Sequence, residues 1–296
     1  MTEKALKEKY RMGIVAADSY RRYRPTAGYD WIKSIIVFAF PYQQQKAEGK
    51  YLPARFAYGG DYHRVVADIL RDIAYKLKLY RHEVLVDRSF LDEKLAAYLA
   101  GLGFIGKNTL LITPEFGSYV FLGTIVTDYL FSKYDQPLSL SCAECNLCVN
   151  KCPTAALDDG FNRKICLSYL TQTVSEDFSR YDLLKDTYYG CDICQEVCPH
   201  NRHPKRYLPE FSFSCDVLLT LNDLENLNKE KYLEKYRDKN FSWIGYLKML
   251  RNIIVLEVNN NNINCEKIEY FQKLYRDVPW FCRHMEYLKG KIKNES

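Results

Sequence analysis

Eleven cysteines occur in this chain of 296 residues, and eight of them fall between positions 142 and 198. In SCAECNLCVNKCP, Cys142, Cys145, Cys148 and Cys152 stand as C-x2-C-x2-C-x3-C with Pro153 behind them. This is the bacterial ferredoxin spacing, in which three thiolates hold corners of one [4Fe-4S] cubane and the fourth reaches a second cluster. A zinc site needs only four ligands and rarely packs them this way. In GCDICQEVCPHN the end of the motif recurs as Cys191, Cys194 and Cys198 before Pro199, one thiolate short, and Cys166 in RKICLSYL is available to replace it. The expected partition is Cys142, Cys145, Cys148 and Cys198 on one cluster, and Cys166, Cys191, Cys194 and Cys152 on the other. Two clusters side by side carry single electrons, so the reactive centre should lie in another part of the chain. Cys215, Cys265 and Cys282 are isolated in helical sequence and are expected to be small buried hydrophobes.

A second pattern is AGLGFIGKNTLLI, where Gly101, Gly103 and Gly106 fit G-x-G-x-x-G. A dinucleotide turn needs a strand before these glycines and a helix after them. Here LDEKLAAYLA reads as a helix and TLLI as a strand, so the order is reversed. Gly101 is then expected as a helix C-cap, where a left-handed backbone is easiest for glycine.

These residues need elements to hold them. Hydrophobic residues make up 47% of the chain and charged residues 27%, enough for a packed core. The longest clean apolar run is SIIVFAF, far short of the ~18 residues of a membrane span. The charged N-terminus lacks the apolar core of a secretory signal, so a cytoplasmic location is expected. There, clustered cysteines point to metal or redox chemistry instead of disulfides. The net charge of +5 permits an acidic partner without requiring one. Strands are expected at 34–40, 83–87, 109–112 and 119–128, and helices at 64–78 and 91–100. The fold class is α+β: an N-terminal domain with a central sheet (1–136), a ferredoxin-like di-cluster domain (137–206) and a short helical region (207–296). In the last, four helical segments resemble two helical hairpins.

Taken in order, VDRSFLDEKLAAYLAGLGFIGKNTLLI, GSYVFLGTIVTD, the ferredoxin run, CLSYLTQ and YGCDICQEVCPHNR resemble the epoxyqueuosine reductase family. So do RPTAGYDWIKSIIVFAFPY, ARFAYGGDYHRVV and WIGYLKMLRNIIVLEV, the last matching the family's helical-repeat part. The resemblance implies a cobalamin-dependent oxidoreductase with two [4Fe-4S] clusters, acting on epoxyqueuosine in a tRNA anticodon loop. It places the Gly101–Asn108 turn in the cobalamin-binding domain, close to the corrin. Lys107, Asn108, Thr109, Gly117, Ser118 and Gly123 are inferred to line that pocket, and Asp61, Tyr62 and His63 form a second polar cluster. Asp87 ends EVLVD, where the family places its acidic proton donor. A carboxyl desolvated against a corrin would hold its proton near neutrality. The plainer readings are that Asp87 caps the helix LDEKLAAYL and that His63 is a satisfied histidine at a helix start.

Three departures from the family pattern stand out. GIVAADSY runs almost directly into RPTAGYDWIKS, His200 follows the second Cys-Pro where the family commonly has tryptophan, and the C-terminal region is short. Arg202, Lys205 and Arg206 are candidates for phosphate contacts. The expected partners are tRNA and an external electron donor, with no membrane and a monomeric chain. Two other readings use the same residues: a reductive dehalogenase-like enzyme, or an electron-transfer or cobalamin-handling protein with no substrate of its own.

Overall fold

RMGIVA forms strand β1 (Arg11–Ala16) and SIIVFAFP forms β2 (Ser34–Pro41), whose eight residues are all buried. An uninterrupted apolar strand of this kind must be covered on both faces. β3 (His82–Leu85), the short pair β4 (Phe104–Ile105) and β5 (Leu111–Ile112), and β6 (Val120–Thr127) follow. The main sheet has the order β1-β2-β6-β3 and is antiparallel throughout, with Ile36 opposite both Ile14 and Ile125, and Val84 opposite Ile125. The chain is described here from a computed structural model that covers residues 10–26, 28–87, 89–202 and 206–295.

Strand alternation divides the β2 side chains between two layers. Ile35, Val37 and Ala39 pack with α1 (Ala17–Arg21) and α3 (Glu93–Leu99), through Ala17, Tyr20, Ala96, Ala97 and Leu99. The other face lies toward α2 (Tyr62–Lys76), whose buried Val66, Leu70, Ile73 and Ala74 recur at helical spacing. α2 starts two residues earlier than the apolar pattern indicates because Asp61 caps it, accepting from the His63 N–H. α3 ends as expected at Gly101, with φ +68°. The Gly101 N–H donates to the Tyr98 carbonyl and the Leu102 N–H to that of Ala97, which is the Schellman arrangement. The following turn joins two strands of a hairpin, so the glycines serve a helix stop and a tight return.

The chain divides into two compact units, one of Met1–Gln45, Gly59–Lys151 and Cys194–Ser212, the other of Lys46–Tyr58, Cys152–Ile193 and Phe213–Ser296. These limits differ from boundaries at 136 and 206. The cysteine-rich segment has little hydrophobic periodicity of its own, so its two parts settle with different cores.

In the second unit a two-residue strand, Leu52–Pro53, pairs in parallel with Thr187–Tyr189. Around it are α4 (Leu167–Gln172), α5 (Leu221–Glu225), α6 (Lys229–Tyr236), α7 (Tyr246–Asn259), α8 (Cys265–Leu274) and α9 (Pro279–Glu295). α7 is central, with Met249 through Val258 all buried. α9 is a helix that the four expected segments left out; its polar residues obscure the apolar stripe Phe281, Met285 and Leu288 that buries it. Among the described residues no helix is long and apolar enough to cross a membrane.

Candidate active site and cluster ligands

In the first unit, Cys142, Cys145, Cys148 and Cys198 line one recess with Asn108, Ile112, Pro199 and His200. Three thiols close in sequence and a fourth fifty positions further on thus face a common space. The Lys107 N–H donates to Cys142 Sγ at 3.4 Å, and the Lys107 Nζ donates to Asn146 Oδ1 at 2.7 Å. Asn108 is buried, and its Nδ2 has no hydrogen-bond partner. Burial pushes the Cys148 and Cys198 thiols up, so holding them as thiolates calls for a cation beside them. Cluster iron provides that cation, and an unpartnered amide donor suits the sulfurs of such a group. The residues present therefore fit an iron–sulfur cluster. His200 adds a ring edge-on to Phe104, 5.2 Å between centroids.

In the second unit Cys166 stands at the N-cap position of α4, and Cys191 follows Gly190, whose φ is +79°. Burial raises the Cys166 thiol and pushes that of Cys191 up to about 12, with Cys152 adding to both and Cys166 to Cys191. These three sulfurs therefore lie within one another's field. Cys194, on the short helix Ile193–Glu196, comes three residues after Cys191. The other cysteines differ from one another. Cys215 is exposed in a 3-10 turn, not buried in a helix, because the LLTL stretch after it stays unwound. Cys265 and Cys282 are half-buried, and the Cys282 thiol donates to the Tyr275 carbonyl at 3.4 Å. Cys282→Ala should leave iron content unchanged, as measured by metal analysis of the anaerobically purified protein. Loss of iron would make Cys282 a ligand.

A third cluster of groups lies in the first unit. His63 Nδ1 contacts Asp61 Oδ1 at 2.7 Å and Nε2 contacts Asp87 Oδ2 at 3.1 Å, so an imidazolium donates to both carboxylates. Hydrogen bonds to Asp61 and then to Asp87 push His63 up to about 9. For Asp61, burial is outweighed by the His63 hydrogen bonds, which hold it below the usual carboxylate range. Tyr62 stacks on His63 and on Phe121, with centroids 4.0 and 4.2 Å away. Asp87 lies two residues beyond β3 in the left-handed region, φ +58°, and its side chain is 51% exposed. It does not cap the following helix; Asp92 does, accepting from the Leu95 N–H.

A desolvated carboxyl stands directly beside Asp87: Glu93 Oε1 accepts from the Asp87 N–H at 2.8 Å, and desolvation pushes Glu93 up to about 8. Glu93 was not singled out from sequence, because an acidic residue in a first helical turn reads as a solvated dipole partner.

The inferred cobalamin-lining residues do not gather in one place. Lys107 and Asn108 belong to the first thiol recess, with Thr109, φ +63°, next in the chain. Ser118 is committed to packing: its N–H donates to Asn201 Oδ1 and its Oγ donates to Gln195 Oε1, both at 2.9 Å. A side chain at Gly117 would strike that same Asn201 at 1.9 Å. At Gly123 it would strike Val66 and Leu70 of α2 at 2.5 and 2.8 Å, so close helix–sheet contact accounts for this glycine. Gly117, Ser118 and Gly123 thus each have a packing role of their own. Lys205 lies outside the described residues; Arg202 and Arg206 are exposed.

His63 and Glu93 both bind their protons more tightly when folded, which sets a pH dependence. Between its ordinary 4.5 and about 8, Glu93 holds a proton that the unfolded chain has released, and His63 does so between 6.5 and about 9. Stability should therefore fall as pH rises through each interval. Glu93→Gln should flatten denaturation midpoints between pH about 5 and 6.5 and lessen the fall from there to about 8, leaving the part that His63 contributes. An unchanged slope in the variant would show that Glu93 is ionised in the folded protein.

An α+β unit carrying a proton-holding array and ferredoxin-type thiols defines an iron–sulfur oxidoreductase. Comparison with known proteins narrows the class. A family model described as 4Fe-4S double cluster binding domain matches residues 141–201, and one described as Epoxyqueuosine reductase QueG, DUF1730, matches residues 22–92. The epoxyqueuosine reductase of Lactococcus garvieae is 36% identical over 262 residues, 81% of this chain and 73% of that protein. The one of Listeria monocytogenes is 36% identical over 241 residues, 76% of this chain, and the match spans 63% of the relative's length. The chain belongs to the epoxyqueuosine reductase family. The solved structure of the Streptococcus thermophilus epoxyqueuosine reductase superposes with a TM-score of 0.86 at 27% identity, covering 98% of this chain and 89% of that one. A structure of epoxyqueuosine reductase with an epoxyqueuosine-modified tRNA-Tyr stem loop gives 0.85 at 25%, covering 98% and 88%. One from Bacillus subtilis, described with an aspartate catalytic loop swung out of the active site, gives 0.82 at 25%, again covering 98% and 88%.

Proposed function

We propose that this protein reduces epoxyqueuosine to queuosine in the anticodon loop of tRNA, drawing electrons from an external donor through two [4Fe-4S] clusters. The observation that carries this reading is the pairing, within one unit, of a four-thiol recess with the Asp61–His63–Asp87 array. Opening an epoxide to an alkene takes two electrons and two protons and releases the oxygen as water. An electron carrier alone has no use for the protons; a reductase has.

Asp87 presents its carboxyl to solvent from a left-handed turn and delivers a proton to the leaving oxygen. His63 holds a further proton at Nε2 against Asp87 Oδ2 and restores the acid, while Asp61 fixes the ring from Nδ1. Supporting the aspartate assignment is the relative described with an aspartate catalytic loop. The second cluster is proposed on Cys152, Cys166, Cys191 and Cys194, the first on the four thiols of the recess.

The family resemblance adds cobalamin, which would supply a low-potential cobalt centre to act on the epoxide ring. Of the inferred residues, the Asp61–His63–Asp87 array fits a role beside it. No Asp-x-His-x-x-Gly run occurs, so no histidine of the chain is assigned to the cobalt. Electron paramagnetic resonance of the cobalt(II) protein should lack nitrogen splitting, and visible splitting or an absence of binding would count against this. The substrate is tested by incubating the reduced protein with an epoxyqueuosine-modified stem-loop and analysing nucleosides. Queuosine should appear, and unchanged epoxyqueuosine would sink the assignment.

A further inference from the structure

Arg251 and Asn252, adjacent on α7, are each about 1% exposed. A buried guanidinium ordinarily has a carboxylate partner, yet among the described residues none lies within ion-pair distance of Arg251. Its donors go instead to neutral acceptors. Nη2 donates to the carbonyls of Leu170 and Thr173 at 3.2 and 3.0 Å, Nη1 to Tyr181 Oη at 3.2 Å, and Nε to Asn252 Oδ1 at 2.7 Å. Asn252 Nδ2 donates to the carbonyls of Thr171 and Tyr188 at 2.7 and 2.8 Å.

The backbone acceptors belong to two segments with chemistry in common. Leu170, Thr171 and Thr173 lie in and just past α4, the helix that starts directly after Cys166, and the Leu170 N–H donates to the Cys166 carbonyl. Tyr188 comes three residues before Cys191, and the Gly190 N–H between them donates to Thr171 Oγ1 at 2.9 Å. Two chain segments bearing thiols are therefore joined to each other; Asn252 holds both, and Arg251 holds the Cys166 segment and orients Asn252. Apolar residues would fill this interior without the cost of burying a charge. What they would not supply is a rigid fork of donors that fixes the Cys166 segment and, through Asn252, sets it against the Cys191 segment.

We infer that Arg251 and Asn252 are positioning residues for the second cluster, holding the Cys166 and Cys191 segments at the separation one cubane requires. The inference rests on the cluster ligands proposed above. It gives this part of the helical region a task in electron transfer, independent of any contact with RNA.

The test uses the full chain, purified and reconstituted anaerobically, with iron counted and clusters followed by electron paramagnetic resonance. Residues beside metal ligands typically change affinity by about 10–100-fold when removed. Asn252→Ala should therefore lose half of the iron, or release that half to a chelator about 10-fold faster or more, while the signal of the other cluster and the helical circular dichroism persist. Arg251→Lys keeps the charge and loses the fork, and should shift in the same direction; it decides the matter if Asn252→Ala yields no folded protein. Full iron with unchanged potentials and release rates would overturn the proposal, as would equal loss from both clusters, which marks a general structural role. No step here uses substrate. Wild-type protein with two clusters and no turnover would sink the substrate assignment alone, and wild-type protein with half the iron would remove the second cluster itself.

Discussion

Asp87→Asn should lower turnover of an epoxyqueuosine-modified stem-loop by about 10²–10⁴-fold, the usual worth of general acid catalysis. The epoxide oxygen is a poor leaving group until it is protonated, and Asp87 is the carboxyl that the turn after β3 puts forward. Asparagine keeps the shape and can still accept from His63 Nε2, now 3.1 Å from Asp87 Oδ2. It cannot carry the proton. Its backbone N–H remains able to donate to Glu93 Oε1, so the turn should stay in place. Iron and cobalamin contents should accordingly match wild type, and the loss should fall on kcat more than on KM. Wild-type turnover in the variant would remove Asp87 from proton transfer. Loss of cobalamin binding would make it a cofactor residue, and the acid would then be sought at Asp61 or Tyr62.

Because His63 is pushed up to about 9 by Asp61 and Asp87, the array holds an imidazolium beside a carboxylate at neutral pH. The acid proton is thus stored on the histidine and passed on, in contrast to the raised-pKa carboxyl expected from the sequence. His63→Gln should slow turnover less than Asp87→Asn does, since water can slowly restore an exposed carboxyl.

Cys166→Ala should reduce iron from about eight to about four per chain and lower turnover at least ~100-fold, because an incomplete ligand set fails to hold a cubane and the electron path is cut. Cys166 is the ligand that the repeated motif does not contain, so it tests the partition most directly. Its thiol is raised by burial and by Cys152, and Cys191 stands at about 12 beside it. Thiols so unwilling to ionise are stable as thiolates only with iron present. Metal analysis gives the iron count, and the stem-loop assay gives the turnover. Eight irons in the variant would assign Cys166 to packing and leave the second cluster in need of another ligand.

Local spacing explains what was legible without a fold. The cysteine run encodes its chemistry in intervals of two and three residues, since one loop must wrap one cluster. Gly101 could be read as a helix stop because a left-handed residue after an apolar helical stripe is a local need, and β2 could be read from an unbroken apolar run. These features depend on neighbours in the chain. The rest depends on neighbours in space. Glu93 gains its raised pKa only because the turn at Asp87 folds back onto it, and Gly123 is a glycine because α2 presses on the sheet at that point. Gly117 and Ser118 serve Asn201, more than eighty positions away, a distance no motif spans. Arg251 and Asn252 look like polar interruptions in an apolar helix until Leu170, Thr171, Thr173 and Tyr188 are brought round them. The ferredoxin-type pattern is a property of residue type and spacing, and so the sequence carries it; the settings that charge, orient and brace those residues are made by packing between distant segments, and so only the tertiary structure decides them.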